Sequence, residues 1–198
     1  MSAAGSHPLL DRLARVLAGH APRLAARDEP YGEAAVALVL RPREDDDCDL
    51  LLIRRAIREG DPWSGQIGLP GGRHSARDAS LEDTAWRETV EEVGLDIRAR
   101  GKVLGALDEL RPRTPALPPI IVRPYVCVLE APPPLVLNFE VAAARWVPLA
   151  ELFAPDTRVQ TSVEVRNIRL HVEAFQLGDF TVWGMTERIL STFEQLWR

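Results

Sequence analysis

Residues 71–95 read GGRHSARDASLEDTAWRETVEEVGL, and this stretch joins a glycine turn to a segment dense in carboxylates. The part Leu81–Val93 contains neither Gly nor Pro and is followed by Gly94. In the lead-in, Asp78 or Ser80 can cap the N-terminus of a helix. The pattern therefore predicts a helix over Leu81–Val93, with Gly94 as the residue that ends it.

The carboxylates of this helix share one side. At about 100° per residue, Glu88, Glu91 and Glu92 fall within an arc of roughly 100°. Like charges at these spacings repel by roughly 0.2–0.5 kcal/mol per pair, so a bound cation would stabilise them. Oxygen ligands favour Mg²⁺, and no His or Cys neighbours this face to favour zinc. The alternative is a solvated helix face without a ligand. The opposite side is predicted to pack and carries Trp86, Thr89, Val90 and Val93.

The sequence around these glutamates resembles the Nudix box, whose pattern is Gly, five residues, Glu, seven residues, Arg-Glu, an aliphatic, any residue, Glu-Glu, any residue, Gly, an aliphatic. Residues 87–95, RETVEEVGL, match its second half. From Gly72 to Arg87 is 87 − 72 = 15 positions, one more than usual, and the loop Glu has become Asp78 or is lost at Ala79. The same expansion after Pro-Gly-Gly is similar to the branch that includes coenzyme A diphosphatases.

The resemblance implies a fold, a metal and residue roles. The implied fold is the α/β/α sandwich of the Nudix family, with a mixed β-sheet. The implied ligands of Mg²⁺ or Mn²⁺ are Glu88, Glu91, Glu92 and the carbonyl of Gly71. Arg87 would orient Glu88, and either Glu88 or Glu140 would remove the proton from water, a choice that the sequence leaves open. His74 is a weaker candidate for this base.

The order of predicted elements favours one α+β domain. Leu9, Leu10, Leu13 and Val16 repeat at helical spacing and predict a helix over 8–19. We expect residues 1–32, this helix and its connector, to pack on a Nudix domain formed by residues 33–198. Strands are predicted at 33–40, 49–55, 102–106, 120–129 and 143–147, residues 60–72 are predicted to be a loop, and a terminal helix is predicted within 180–198.

Composition limits the partners and the compartment. The chain has 198 residues and a net charge of −5, so there is no global basic field for nucleic acid, and a small anionic nucleotide fits better. No apolar run is long enough to span a bilayer. Cys48 and Cys127 lie in apolar runs and suggest a reducing compartment, so a cytoplasmic location is expected. A homodimer is left open.

The loop after the second strand is the predicted substrate-binding segment. Arg54, Arg55 and Arg58 can bind phosphate, and Trp63 can stack on a base. The alternative is that these arginines form salt bridges and that the Trp is buried. Compared with the signature of the coenzyme A branch, this segment matches in part: Gly65 and Pro70-Gly71-Gly72 are retained, whereas Leu69 stands in place of a Phe and Asp61 in place of an Arg.

The functional hypothesis is an enzyme. It would use a divalent metal to hydrolyse the diphosphate bond of a nucleoside diphosphate linked to another moiety, with coenzyme A or its derivatives as the leading substrate. A broad-range nucleotide diphosphatase acting on oxidised nucleoside triphosphates, ADP-ribose or dinucleoside polyphosphates is the first alternative. A sensor that binds a nucleotide without cleaving it is the second. The retained Glu88, Glu91, Glu92 and Arg87 favour the enzyme.

Overall fold

The computed structural model describes residues 7–28, 30–61, 63–112, 118–165 and 168–198. Within these ranges the helices are α1 (Pro8–Gly19), α2 (Leu81–Val93), α3 (Ile97–Arg100), α4 (Leu149–Leu152) and α5 (Gly184–Trp197), with a 3₁₀ turn at Pro155–Thr157. The strands are β1 (Gly32–Pro42), β2 (Cys48–Arg55), β3 (Ile67–Gly68), β4 (Gly71–Arg73), β5 (Lys102–Ala106), β6 (Ile120–Val128), β7 (Val141–Pro148), β8 (Arg158–Val165), β9 (Ile168–Leu177) and β10 (Phe180–Trp183).

A mixed sheet occupies the centre of the fold. Its strand order is β3-β2-β1-β6-β5, with β4 also paired to β1 and β7 also paired to β2. β1 and β6 are parallel, while the other pairs of this sheet are antiparallel. The predicted α+β class with a mixed sheet is confirmed.

Helices cover both faces of this sheet. On one face, Ala37 and Val39 of β1 belong to the same buried cluster as Trp86 of α2. On the other face, Leu38 of β1 packs in a cluster with Leu13 of α1 and with α5. Because both faces are covered, β1 can be an almost continuous apolar run rather than an alternating one. The three layers confirm the predicted α/β/α sandwich.

Helix α2 begins and ends as its sequence predicts. The Ser80 side chain accepts a hydrogen bond from the Asp83 N–H at 3.1 Å, so Ser80 and not Asp78 is the N-cap. Gly94 has φ of 74° and donates its N–H to the Val90 carbonyl, which closes the last turn. These local signals fix α2 before any tertiary contact is considered.

Two segments differ from the sequence prediction. The stretch 60–72, predicted to be a loop, contains β3 and β4, because β3 pairs with β2 and β4 pairs with β1. No element was predicted between residues 150 and 179, yet β8 and β9 lie there and form a second, three-stranded sheet with β10, which directly precedes α5. This sheet packs through Phe175 against Phe153, with ring centroids 5.8 Å apart.

The N-terminal helix and its connector pack on the rest of the chain. Leu13 and Leu17 of α1 are buried in the main core cluster. The Asp108 carboxylate accepts hydrogen bonds from the N–H of Arg23 and from its guanidinium, at 3.0 and 2.6 Å, and thereby holds the connector. The boundary between residues 1–32 and 33–198 as separate units stays a prediction. Throughout the described ranges, no helix is both long and apolar enough to cross a membrane.

Candidate active site

A cavity of about 470 Å³ opens beside β4, where Gly71 and Gly72 lie close to α2. Glu88 of α2 and Glu140, which precedes β7, both line it. Arg55 at the end of β2 and Trp63 in the segment that follows also line it, and residues of β6 and α5 close the other side. The cavity therefore collects carboxylates, an aromatic ring and cationic groups from segments far apart in the sequence.

Glu88 packs directly on the backbone of the glycine turn. A Cβ atom placed on Gly72 would lie 2.5 Å from the Glu88 carboxyl carbon, so a side chain at position 72 would displace this carboxylate. Arg87 donates a hydrogen bond to Glu88 at 2.7 Å. Burial raises the pKa of Glu88, and Arg87 acts in the opposite direction.

Glu92 is buried rather than solvated. It is 1% exposed, and its Oε2 accepts a hydrogen bond from the Gly71 N–H at 2.9 Å. Arg55 lies 3.8 Å from its Oε1. Burial raises the pKa of Glu92 to about 7. The hydrogen bond from the Gly71 N–H and the charge of Arg55 lower this pKa, whereas the negative charges of Glu88 and Glu140 raise it further. The alternative of a solvated helix face therefore does not hold for Glu92, because the start of β4 at Gly71 packs against this part of the helix.

The remaining part of the predicted helix face is exposed. Glu91 faces solvent and interacts with Arg87 and Arg77, at 3.2 and 3.3 Å. Val90, predicted to pack, is 44% exposed, so this prediction is also wrong. Trp86, Thr89 and Val93 are buried as predicted. The buried face of α2 is therefore rotated toward Glu92 and away from Val90, compared with the face that apolar periodicity alone indicates.

Arg87 joins the acids of the helix to the turn that precedes it. Its guanidinium donates to both oxygens of Asp78, at 2.8 and 2.9 Å, as well as to Glu88 and Glu91. Hydrogen bonds from Arg87, and further ones from the Ser75 N–H and Thr84, hold the pKa of the Asp78 carboxyl well below its usual range. Of the two sequence alternatives, replacement of the loop Glu by Asp78 fits this geometry better than its loss at Ala79, because the Asp78 carboxylate contacts Arg87.

Glu140 reaches the cavity from the opposite side. The Ala56 N–H donates to the Glu140 carbonyl at 2.8 Å, and this ties its loop to the end of β2. The Glu140 carboxylate accepts a hydrogen bond from Arg58 at 2.8 Å. The structure thus brings Glu88 and Glu140, both predicted bases, to one cavity. His74 instead hydrogen-bonds Thr84 at 2.9 Å.

The predicted substrate-binding residues divide into two groups. Arg55 and Trp63 line the cavity, and Arg55 pairs with Asp61 at 3.0 Å. Arg54 lies outside the cavity, where it pairs with Asp179 at 2.6 Å. Arg58 also lies outside the lining and is engaged with Glu140. For Arg54 and Arg58, the structure therefore shows the salt-bridge alternative.

Several lining residues escaped the sequence analysis. Arg73 ends β4, and apolar side chains from β6 and α5 form much of the opposite wall. The alternation of β4 against β1 could have indicated the face on which Arg73 lies, but only if the pairing register were known. The missed lining residues include Arg73, Ile120, Val122, Met185, Thr186 and Ile189.

The donor set suits a hard divalent cation by its chemistry, although the side chains are not gathered around one point. Among the residues described, no group of three or more His, Cys, Asp or Glu side chains is placed to hold a metal ion. Glu88 and Glu91 are engaged with Arg87, and Glu92 with the Gly71 N–H. All the candidate donors are oxygens, which is the ligand type that Mg²⁺ and Mn²⁺ favour.

Comparisons with known proteins identify the family of the chain. The NUDIX domain model matches residues 30–166. The chain is 35% identical to an uncharacterized protein of Schizosaccharomyces pombe, over 74% of this chain and 50% of that protein. It is 31% identical to the peroxisomal coenzyme A diphosphatase ndx-8 of Caenorhabditis elegans, over 78% of this chain and 64% of that one. It therefore spans less than two thirds of either relative.

The fold is also found among solved structures. The crystal structure of a MutT/nudix family protein from Enterococcus faecalis superimposes with a TM-score of 0.58 at 22% sequence identity. The match covers 87% of this chain and 64% of that one. At this level of identity the similarity supports the fold alone.

Proposed function

The chain belongs to the Nudix family, and on this basis we propose that it hydrolyses the diphosphate bridge of a nucleoside diphosphate linked to another moiety. Coenzyme A or a derivative of it is the proposed substrate. In this reaction the water oxygen forms a bond to one phosphorus, and the bond from that phosphorus to the bridging oxygen breaks. The bridging oxygen leaves as a terminal oxygen of the other phosphate, and the two protons of water go to the phosphate products or to solvent. The observation that carries the proposal is that Glu88 and Glu140 meet at a cavity that also contains Trp63, while Glu92 is buried against the N–H of Gly71, another lining residue.

The proposed metal site uses Glu88, Glu91, Glu92 and the carbonyl of Gly71. Mg²⁺ or Mn²⁺ bound by these groups would neutralise charge on the diphosphate and make water a better nucleophile. The contact between the Gly71 N–H and Glu92 supports this assignment, because it fixes the turn against one of the acids. All four donors are oxygens, so we expect Zn²⁺ to be a poor substitute.

The protein's own residues would position and deprotonate the water. Glu88 and Glu140 are both candidates for the base, since both line the cavity. Arg87 would act as a positioning residue for Glu88, to which it donates at 2.7 Å. Arg58 would position Glu140 in the same way, since its guanidinium donates a hydrogen bond to the Glu140 carboxylate at 2.8 Å. Each candidate base is therefore held by an arginine, and replacing each acid separately can distinguish them.

The choice of coenzyme A rests on two supports. One is the resemblance of residues 69–72 and of the expanded turn to the coenzyme A branch. The other is the relative from Caenorhabditis elegans that is named a coenzyme A diphosphatase. That relative is also named peroxisomal, so the cytoplasmic location stays a prediction. The homodimer stays a prediction as well.

A nucleotide sensor that does not cleave is the second candidate. It is favoured by one observation, namely that Arg87 already engages two of the acids proposed as metal ligands. A sensor and an enzyme both bind a nucleotide, but only the enzyme releases products. A broad-range diphosphatase would release products from many substrates at similar rates.

The test is a substrate panel followed by mass spectrometry. Coenzyme A, its 3′-dephosphorylated form, ADP-ribose and a dinucleoside polyphosphate would be incubated with the protein and Mg²⁺. We expect adenosine 3′,5′-bisphosphate and 4′-phosphopantetheine from coenzyme A, and little product with Glu88→Gln. Glu44→Gln, an exposed change in the β1–β2 turn, is the matched control. Nucleotide binding without any product would refute the enzyme and leave the sensor.

A further inference from the structure

Arg73 lies on the face of the sheet opposite to α2. In the pairing of β1 with β4, Ala34 is opposite Arg73 and Ala35 is opposite Gly72. Ala35 belongs to the buried cluster that packs on α2, whereas Ala34 belongs to the cluster that packs on α1 and α5. Residues directly opposite each other share a face, and successive residues alternate. Gly72 therefore faces Glu88, and Arg73 faces the α5 side of the same cavity.

The Arg73 guanidinium is uncommitted. Its residue is exposed, and across the described part of the chain it makes no ion pair and no side-chain hydrogen bond. The other cation that lines the cavity, Arg55, is paired with Asp61 and lies near Glu92. Arg87 is engaged with three acids. Among these arginines, Arg73 has all its donors available for a ligand.

The charge of the cavity makes this cation important. Asp61, Glu88 and Glu140 line the cavity, whereas Arg55 and Arg73 are its lining cations. An anionic ligand would be repelled by this acidic wall unless cationic groups met it. A guanidinium offers a planar fork that binds two phosphate oxygens at once, which a single amide donor cannot do.

The surroundings of Arg73 indicate which part of the ligand it meets. Apolar side chains line the cavity on its side of the sheet: Ile120 and Val122 from β6, and Met185 and Ile189 from α5. Such a wall suits a nucleoside rather than a diphosphate. The carboxylates lie at the other face, around Glu88.

We propose that Arg73 binds a phosphate group of the nucleotide, at the nucleoside end of the cavity. This inference rests on the proposed function for the class of ligand. Two phosphates have the required chemistry, namely a second phosphate on the ribose and the 5′-phosphate next to the scissile bond. The apolar surroundings of Arg73 favour the ribose phosphate, and the test distinguishes the two sources.

Binding can be measured separately from hydrolysis with two nucleotides that contain no diphosphate bridge. Adenosine 3′,5′-bisphosphate and AMP would each be titrated into the protein by calorimetry in the presence of Mg²⁺. We expect Arg73→Ala to lower the affinity for adenosine 3′,5′-bisphosphate by roughly 10- to 100-fold, because a charge-assisted contact is lost. Arg73→Lys keeps the charge but loses the fork, so a smaller loss is expected.

The two probes separate the two phosphates. If Arg73→Ala lowers the affinity for adenosine 3′,5′-bisphosphate but not for AMP, then Arg73 binds the ribose phosphate. If the affinities for both nucleotides fall by the same factor, then Arg73 binds the 5′-phosphate. Unchanged affinity for both in Arg73→Ala overturns the proposal, and so does an absence of measurable binding to the parent protein.

A matched control excludes a general loss of charge or of folding. Arg15→Ala removes an exposed arginine of α1 and should bind both nucleotides like the parent. The unfolding midpoint of Arg73→Ala should stay at the parent value, because the side chain has no partner among the described residues. If the parent binds the nucleotides, Arg73→Ala weakens that binding and the parent cleaves no substrate, then the proposed hydrolysis fails and the Arg73 assignment stands. If Arg73→Ala binds normally and coenzyme A is cleaved, only the Arg73 assignment fails.

Discussion

Replacing Asp78 by Asn tests the bracing of the active-site turn. Asp78 has a side chain only 4% exposed, and both of its oxygens accept hydrogen bonds from Arg87. It also accepts from the Ser75 N–H at 3.0 Å and from the Thr84 hydroxyl at 2.9 Å. Asn keeps the shape but removes the charge and one acceptor, so Arg87 loses its most buried partner.

The size of the effect follows from burial. Removing one partner of a fully buried ion pair costs about 3–5 kcal/mol. Arg87 keeps Glu88 and Glu91 as partners and its side chain is 19% exposed, so part of that cost is recovered. We therefore expect Asp78→Asn to lower the free energy of unfolding by roughly 2–3 kcal/mol at pH 7, and the melting temperature by roughly 4–12 °C.

The pH dependence has a definite sign. Arg87 keeps the pKa of Asp78 lower in the folded chain than the value of about 3.9 of an unfolded Asp. A carboxyl of this kind stabilises the fold above the unfolded pKa, and that contribution is lost as the pH falls toward the folded pKa. The difference in stability between parent and Asp78→Asn should therefore be full at pH 7 and should shrink below about pH 4.

The assay is urea denaturation followed by circular dichroism at pH 7 and at lower pH. Asp45→Asn is the matched control, because Asp45 also pairs with an arginine, Arg43, but is largely exposed; little change is expected there. A double-mutant cycle with Arg87→Met should give a coupling energy of about 1–3 kcal/mol between positions 78 and 87. If Asp78→Asn has the same free energy of unfolding as the parent at pH 7, then Asp78 does not brace the turn.

Further predictions concern activity. Glu91→Gln and Glu92→Gln should each lower kcat by orders of magnitude, since each removes a ligand charge; unchanged turnover in both would contradict the metal site. Chelation with EDTA should abolish activity, and Mg²⁺ or Mn²⁺ should restore it, whereas recovery with Zn²⁺ alone would rule out an all-oxygen site. Gly72→Ala should reduce kcat while far-ultraviolet circular dichroism is retained, because its Cβ would lie 2.5 Å from the Glu88 carboxyl carbon. A fully active Gly72→Ala would show that Glu88 need not stay where it lies.

Local signals explain which elements could be predicted from the sequence. Helix α2 has its caps, Ser80 and Gly94, next to it in the chain, and both act as expected. The terminal helix α5 follows from apolar spacing, with Ile189 and Phe193 buried. The strands β8, β9 and β10 follow one another in the chain and pair with their sequence neighbours, and polar residues such as Ser162 alternate with apolar ones such as Val163 along β8. This alternation is a local strand signal, and the sequence prediction missed it.

The site was predictable only where the chemistry is local. The spacing of Glu88, Glu91 and Glu92 identified the acids, but the burial of Glu92 comes from the segment leading into β4. The proximity of Glu140 and Glu88 depends on how the loop before β7 packs against helix α2, and these two segments are far apart in the chain. For Arg54, Arg58 and Arg73 the sequence showed only their charge. Whether a guanidinium pairs internally or faces a cavity depends on the register and on distant acids, such as Asp179 for Arg54.

The turn at residues 71–73 connects two functions because strand residues alternate between faces. Gly71 and Gly72 contact Glu92 and Glu88 on the α2 side, where the reaction is proposed to take place. The next residue, Arg73, points to the side of α5, where the nucleoside is proposed to bind. Substitutions on the α5 wall can therefore change substrate preference while the acids of α2 stay in position. A slip of one residue in the pairing of β4 with β1 would exchange the faces of Gly72 and Arg73 and disrupt both functions at once.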